Sequence, residues 1–178
     1  MRFGHYREEI AVNMLHTFIA TVAVCVAGLG ASAQTTPTPS AEEFAAKAAS
    51  SDMFELQAAE LALERSQSED VRIFAQMMVT DHTAASEKLK VAAEQDGIAL
   101  PTEMAKADSE ALETLKAATA EEFDAAYIES QIAAHQVALE LLTAYGASGE
   151  SAALKTHAQN TAGVVEMHLH HVEAMKAK

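Results

Sequence analysis

Four long stretches of the sequence place apolar side chains three and four residues apart, interrupted by few helix-breaking residues. This spacing gathers the apolar side chains on one face of an α-helix. The 178 residues include only 7 Gly and 3 Pro, and 5% of them are aromatic, a composition that favours helices over strands. We therefore predict an all-α fold with long helices at residues 41–66, 69–96, 120–147 and 151–176.

The boundaries of these helices carry suitable capping residues. Ser40 and Ser68 can act as N-caps of the first two helices, and Gly97 can end the second. Thr119, followed three residues later by Glu122, has the pattern of a capping box before the third long helix. The predicted helix ends thus have local chemical reasons.

The connection between the second and third long helices is longer than the other two. Residues 97–119 contain a weaker helical pattern at 107–118. Two helical hairpins joined by one long link have the topology of ferritin-like bundles, whereas three short links would give a simple up-down bundle. We predict a ferritin-like four-helix bundle whose long crossover contains a short extra helix.

The N-terminus has the pattern of an export signal. Residues 18–30 are nearly all apolar, and Ala-Ser-Ala at 31–33 has the small-x-small form of a signal-peptidase site. The apolar run is shorter than the roughly 20 residues that span a bilayer. We predict that residues 1–33 are a cleaved signal peptide, starting at Met1 or Met14, and that no membrane span remains. An uncleaved membrane anchor is the alternative.

Cleavage would leave an acidic domain in the periplasm or outside the cell, with a linker at 34–40 and a bundle at 41–176. The only cysteine of the sequence, Cys25, would be lost with the signal, so the mature domain could form no disulfide and could not use a thiolate. With 12 Lys and Arg against 26 Asp and Glu, the net charge is −14. This charge repels phosphate backbones, so we expect no nucleic-acid partner.

Polar side chains interrupt the apolar faces near the middle of each long helix. His82, His135 and His168 lie in phase with the apolar positions of their helices, and Glu55 lies in phase on the first. These four residues follow their predicted helix starts by 13 to 17 positions. The middle of a helix has the same position along the bundle axis whether the helix runs up or down. An antiparallel bundle therefore brings the four side chains to one level.

Three imidazoles and a carboxylate are costly in an apolar interior unless a partner satisfies them. A transition metal does so directly, and we predict that the three histidines bind one ion, with Glu55 as a fourth ligand or as a group that orients a ligand. The alternative is a metal-free hydrogen-bond network that joins the histidines to Glu55, Tyr127 or Gln131.

Other polar residues near these positions carry weaker expectations. We expect Asp52 and Glu60 to lie in solvent, and Asp81 to cap or orient a neighbour rather than point with the adjacent histidine. The histidine-rich run at 167–171 is a possible second metal patch, although surface histidine pairs are more often incidental. His157 is equally ambiguous.

Six short strings occur in order within residues 41–176: Ala-Ala-Ser-Ser-Asp-Met-Phe-Glu55-Leu, Phe74-Ala-Gln-Met-Met-Val-Thr-Asp81-His82, Leu100-Pro101-Thr102, Phe123-Asp124-Ala-Ala-Tyr127, Ala134-His135-Gln136 and His168-Leu169. Together they resemble an exported bacterial family of unknown function that carries a membrane-protein label and is grouped with ferritin-like bundles. The resemblance implies a ferritin-like four-helix bundle. It suggests Glu55, His82, His135 and His168 as polar core positions and implies no established activity.

The chain departs from ferritin-type di-iron proteins, which place a Glu three residues before each of two ligand histidines. The corresponding positions here are Val79, Ile132 and Val165. The family pattern also has Leu-Pro before its last histidine, where this chain has Ala162 and Gly163, so the bend of the last helix is expected to differ. Because the glutamates that bridge two irons are missing, Zn or Cu suits the site better than a di-iron centre does.

Three functions remain open from the sequence. The first is a binding protein for one metal ion in metal handling or envelope stress. The second is a redox or hydrolytic enzyme that uses the same centre with Tyr127 nearby. The third is a metal-free interaction domain whose buried histidines respond to acid between about pH 5 and 7.

Overall fold

The computed structural model describes residues 38–176, which contain five helices and no strand. The helices are α1 (Ala41–Arg65), α2 (Glu69–Gln95), α3 (Lys106–Ala117), α4 (Phe123–Ser148) and α5 (Ala152–Lys176). The all-α prediction is confirmed. Within this part of the chain, no helix is both long and apolar enough to cross a membrane. The predicted signal peptide, residues 1–33, lies outside the described residues.

Local capping explains where the first two helices begin and where α2 ends. Ser40 forms a reciprocal capping box with Glu43, in which each side chain accepts from the other residue's N–H at 3.2 Å. The hydroxyl of Ser68 accepts from the N–H of Val71 at 3.4 Å. Gly97 has a φ of 68°, the left-handed conformation that favours glycine just after a helix.

The start of α4 lies three residues beyond the predicted one, because the expected cap forms a separate turn. Thr119 donates its N–H and its hydroxyl to the carboxylate of Glu122, at 3.4 and 2.8 Å, and α4 begins only at Phe123. Arg65 from α1 stabilises this junction. Its guanidinium donates to the carbonyl of Ala118 at 2.5 Å and stacks 4.4 Å from the centre of the Phe123 ring.

The four long helices form a ring in which α1 packs against α2 and α4, and α5 packs against α4 and α2. The hydroxyl of Thr38, just before α1, lies 2.6 Å from that of Ser148 at the end of α4, so these two helices are antiparallel. Ser151, just before α5, donates to Asp96 at the end of α2, so this pair is antiparallel too. The connection from α2 to α4 therefore runs the length of the bundle, and α3 packs on α1 and α4.

Two apolar clusters fill the bundle on either side of a polar layer. The lower cluster lies where α1 begins and includes Phe44, Leu89, Tyr145 and Leu154. The upper cluster lies where α4 begins and includes, with others, Phe54, Phe74, Met78, Leu115, Phe123, Tyr127 and Val172. Along α2, the chain passes from the upper cluster through the buried His82 to the lower cluster. The polar layer thus occupies the middle of the bundle.

Candidate metal centre

Three histidines from three different helices meet in the polar layer. His82 of α2, His135 of α4 and His168 of α5 are all buried. Their ring centres lie 5.4 to 5.7 Å apart in every pair. One ring nitrogen from each histidine can be chosen so that the three atoms lie within 4.8 Å of one another. The structure thus brings together the three histidines that the helix spacing predicts to converge.

Two of the rings are held by carboxylates. Nδ1 of His82 lies 2.9 Å from Oδ1 of Asp52, and Nε2 of His168 lies 2.8 Å from Oδ2 of Asp81. Since a carboxylate accepts, each of these nitrogens donates its hydrogen. In a neutral imidazole, the other nitrogen then carries a lone pair that can bind a metal. Carboxylate-bound imidazole is the usual arrangement around metal-ligating histidines.

The third ring is held by the backbone of its own helix. Nδ1 of His135 donates to the carbonyl oxygen of Gln131, one turn earlier, at 2.9 Å. Oε1 of Glu55 lies 3.4 Å from the same nitrogen, so this carboxylate stands on the side of the ring that faces away from Nε2. Glu55 is therefore placed to orient His135, and its role as a fourth ligand stays a prediction.

The remaining nitrogen of each ring is buried and has no hydrogen-bond partner within residues 38–176: Nε2 of His82, Nε2 of His135 and Nδ1 of His168. Unpartnered buried polar atoms are rare and costly, so three on adjacent rings call for an explanation. A cation satisfies three lone pairs at once. Around a tetrahedral Zn²⁺ the ligand nitrogens would be about 3.3 Å apart, which requires a modest contraction of the present arrangement.

The electrostatics favour the neutral, metal-binding form of two of the rings. Burial lowers the pKa of His135 to about 3, and burial also lowers the pKa of His168 although Asp81 opposes this change. Burial opposes the charge on His82 as well, but the hydrogen bond to Asp52 and the charge of Glu55 raise its pKa. A metal ion would therefore compete with protonation more strongly at His82 than at the other two rings.

Further unpartnered polar atoms lie around Glu55. Its Oε2 and the hydroxyl of Tyr127 are buried without a partner in the described part of the chain, and the side chain of Gln131 lies beside this carboxylate. Burial raises the pKa of Glu55 to about 7, although the nearby His82 lowers it. At neutral pH this carboxyl group therefore lies close to its titration point, and a nearby cation would favour its charged form.

The prediction for Asp52 was wrong, whereas Glu60 is exposed as expected. Asp52 is buried, because it lies one helical turn before Glu55 on the inward face of α1. The three-residue spacing from Glu55 could have indicated from the sequence that Asp52 faces inward. Asp81 does orient a histidine, but its partner is His168 of α5 rather than its neighbour in sequence.

The histidine-rich end of α5 does not form a single patch. His168 is buried, whereas His170 and His171 are exposed. His157, which was ambiguous from the sequence, is buried and lines a groove between α2 and α5. Within the described residues, the three core histidines are the one group whose ligand atoms lie close enough to hold a metal ion.

Comparison with known proteins adds a family and a fold. A family described as a domain of unknown function (DUF4142) matches residues 27–175. The crystal structure of a DUF305 fragment from Deinococcus radiodurans is similar, with a TM-score of 0.66, and the match covers 78% of this chain and 97% of that one. Its sequence identity of 14% makes this a likeness of fold alone. Among curated proteins, no sequence matches this chain.

Proposed function

This chain belongs to the DUF4142 family of domains of unknown function, and we propose that its role is to bind one transition-metal ion through His82, His135 and His168. One observation carries the proposal. Each ring uses one nitrogen to hydrogen-bond an acceptor, while its other nitrogen is buried and unpartnered, and the three ring centres lie 5.4 to 5.7 Å apart. This arrangement orients three lone pairs for a metal and leaves no donor among the described residues to satisfy them.

The donor set favours Zn or Cu. Three imidazoles suit both ions, whereas di-iron centres need bridging carboxylates. The positions that carry such carboxylates in di-iron bundles are apolar here, and the carboxylates of Asp52 and Asp81 contact ring nitrogens on the outer side of the cluster. Glu55 is the candidate for a fourth ligand or for an orienting group.

We further infer an exported, ferritin-like bundle that works in metal handling or envelope stress. The export pattern of residues 1–33 supports the location, and one long crossover between two hairpins is the topology that ferritin-like bundles use. The net charge of −14 favours the approach of cations.

A competition titration tests the metal site. Purified protein is stripped with a chelator and titrated with Zn²⁺ or Cu²⁺ against a chromophoric chelator. We expect one ion per chain, loss of binding in the triple variant H82A/H135A/H168A, and unchanged binding in H170A/H171A, which removes two exposed histidines from α5. Equal uptake by the triple variant would overturn the proposal. If the triple variant loses binding as expected, elemental analysis of protein from its native compartment would identify the physiological metal.

The metal-free alternative is a buried hydrogen-bond network that responds to acid. The position of Glu55 beside His135, with a pKa of about 7, favours this candidate. It predicts a change of melting temperature between about pH 5 and 7 that is the same with and without chelator. A melting temperature that depends on Zn²⁺ at constant pH distinguishes the metal-binding function.

A further inference from the structure

A groove with a volume of about 400 Å³ lies between the C-terminal half of α2 and the first half of α5. Small side chains on both helices line it, among them Ala84 and Ala85 on α2, and Ala153 and Thr161 on α5. The aliphatic side chains of Val91 and Val164 at its border are exposed. This seam of the bundle is therefore open, whereas the apolar clusters are closely packed.

The groove reaches the histidines through one residue. Asp81 lines the groove and accepts the hydrogen bond from Nε2 of His168 at 2.8 Å. Its side chain is 34% exposed, whereas that of His168 is 1% exposed. Asp52, the corresponding carboxylate beside His82, is only 11% exposed and does not line the groove.

The two directions along the bundle axis are closed by apolar side chains. Phe74 and Tyr127 are fully buried in the upper cluster, and Leu89 and Leu154 are fully buried in the lower cluster. A hydrated cation that travelled along the bundle axis would have to displace these side chains. A lateral path past Asp81 meets alanines and polar groups instead.

We propose that the groove between α2 and α5 is the route by which the metal ion reaches the histidines, with Asp81 as its first ligand. This inference rests on the proposed metal-binding function. The hydrated cation would first bind the carboxylate of Asp81, and would then pass the His168 ring and exchange its water for the unpartnered nitrogens on the inner side of the cluster. Lys88, two helical turns from Asp81 on the same side of α2, also lines the groove and opposes the approach of a cation.

Paired carboxylate variants test the role of Asp81. Co²⁺ binding to chelator-stripped protein is followed by stopped-flow absorption, and Co²⁺ release is followed by capture with excess chelator. Asp81→Asn is expected to slow association at least tenfold. Asp52→Asn, which also removes a charged acceptor from a ring N–H, is expected to weaken binding through faster release. Equal association rates in the two variants would contradict the proposal.

Filling the groove gives a test that changes no charge. Ala84→Trp and Thr161→Trp are expected to slow both loading and release about tenfold, while each chain still binds one Co²⁺ at equilibrium. Val137→Trp on α4 is the control, because this side chain is 69% exposed and lies outside the groove. Wild-type loading rates in both groove variants would show that the ion enters by another path and would overturn the inference.

A charge reversal on the surface gives a third test of the route, which does not require the Trp variants to fold. Lys88→Glu is expected to speed Co²⁺ association several-fold at low ionic strength, and the effect should vanish near 1 M salt. No change at low salt would count against the route. If wild-type protein binds no Co²⁺, Zn²⁺ or Cu²⁺ at equilibrium, the proposed function itself fails and the route fails with it. Normal equilibrium binding with insensitive rates refutes the route alone.

Discussion

The upper apolar cluster and the polar layer lie next to each other in the bundle and are both buried, yet the first consists mainly of hydrocarbon side chains and the second of imidazole rings. In the upper cluster, Phe74 contacts the ring of Tyr127 edge-on at 6.3 Å, and Phe123 stacks on Tyr127 at the same distance. In the layer below, each of three histidines leaves one buried nitrogen without a partner. Burial stabilises the fold in the first region and costs free energy in the second.

The difference indicates that the polar layer is not there for stability. A bundle of this size would pack more favourably with apolar side chains at those positions, since buried polar groups repay their desolvation only when fully hydrogen-bonded. Violations of packing rules of this kind are expected at functional sites. The stability of the upper cluster should therefore depend on packing alone, whereas that of the polar layer should depend on metal and pH.

The largest effect is expected in the upper cluster. Phe74→Ala should lower the free energy of unfolding by about 3 to 5 kcal/mol, because it leaves a cavity in closely packed surroundings. The loss should be present with chelator, since packing does not need the metal, and is measured by urea denaturation. Ile73→Ala is the matched control. This neighbour is 58% exposed, and its truncation should change stability by about 0.5 kcal/mol or less.

In the polar layer, stability should depend on metal. At Zn²⁺ concentrations 100-fold above the dissociation constant, the wild-type protein should gain about 2.7 kcal/mol of unfolding free energy over chelated protein. His135→Ala should lose most of this gain, because it removes one of the three nitrogens. Thermal melts with Zn²⁺ and with chelator measure both values. An equal gain in His135→Ala and in the exposed His170→Ala would contradict the assignment.

Glu55 should make the chelated protein less stable as pH rises. The folded-state pKa of about 7 lies above the ordinary value of 4.5, so the folded protein binds more protons between these values and loses stability as pH increases through them. Glu55→Gln removes this dependence. The stability of the variant relative to wild type should therefore increase by about 2 kcal/mol between pH 5 and pH 8, measured by urea denaturation in chelator. A constant difference would show that this carboxyl group does not titrate in that range.

The smallest effect is expected from a group that only orients a ligand. Asp52→Asn should weaken Zn²⁺ binding at least tenfold, about 1.4 kcal/mol, because the asparagine amide holds the His82 ring less firmly than a carboxylate does. Competition titration gives the affinity. Glu60→Gln, which removes an exposed carboxylate from the same helix, should bind Zn²⁺ as the wild type does.

Much of the fold could be predicted because its determinants are local. Ser40, Ser68 and Gly97 cap or end helices through bonds within a few residues, and the observed ends follow them. The start of α4 was placed too early, because Thr119 and Glu122 bond to each other in a turn that Arg65 of α1 holds from outside. A contact between residues so distant in sequence leaves no local pattern.

In the candidate site too, some features depend on local spacing and others on contacts between helices. The mid-helix positions of His82, His135 and His168 predicted that the rings would meet, since helix length and rise set their height. The partners of the rings could not be predicted in the same way. Asp52 faces α2 and Asp81 faces α5 because of how the helices are rotated and paired, and sequence spacing along one helix does not specify either rotation.

The sequence by itself determined the helices, most of their ends and the height at which the histidines stand, because these depend on periodicity and on hydrogen bonds between near neighbours. Only the tertiary structure decided which nitrogen of each ring is bonded, which carboxylate is exposed, and that a groove opens beside Asp81. Those features depend on the distance and rotation between packed helices, which result from the fit of all their side chains together.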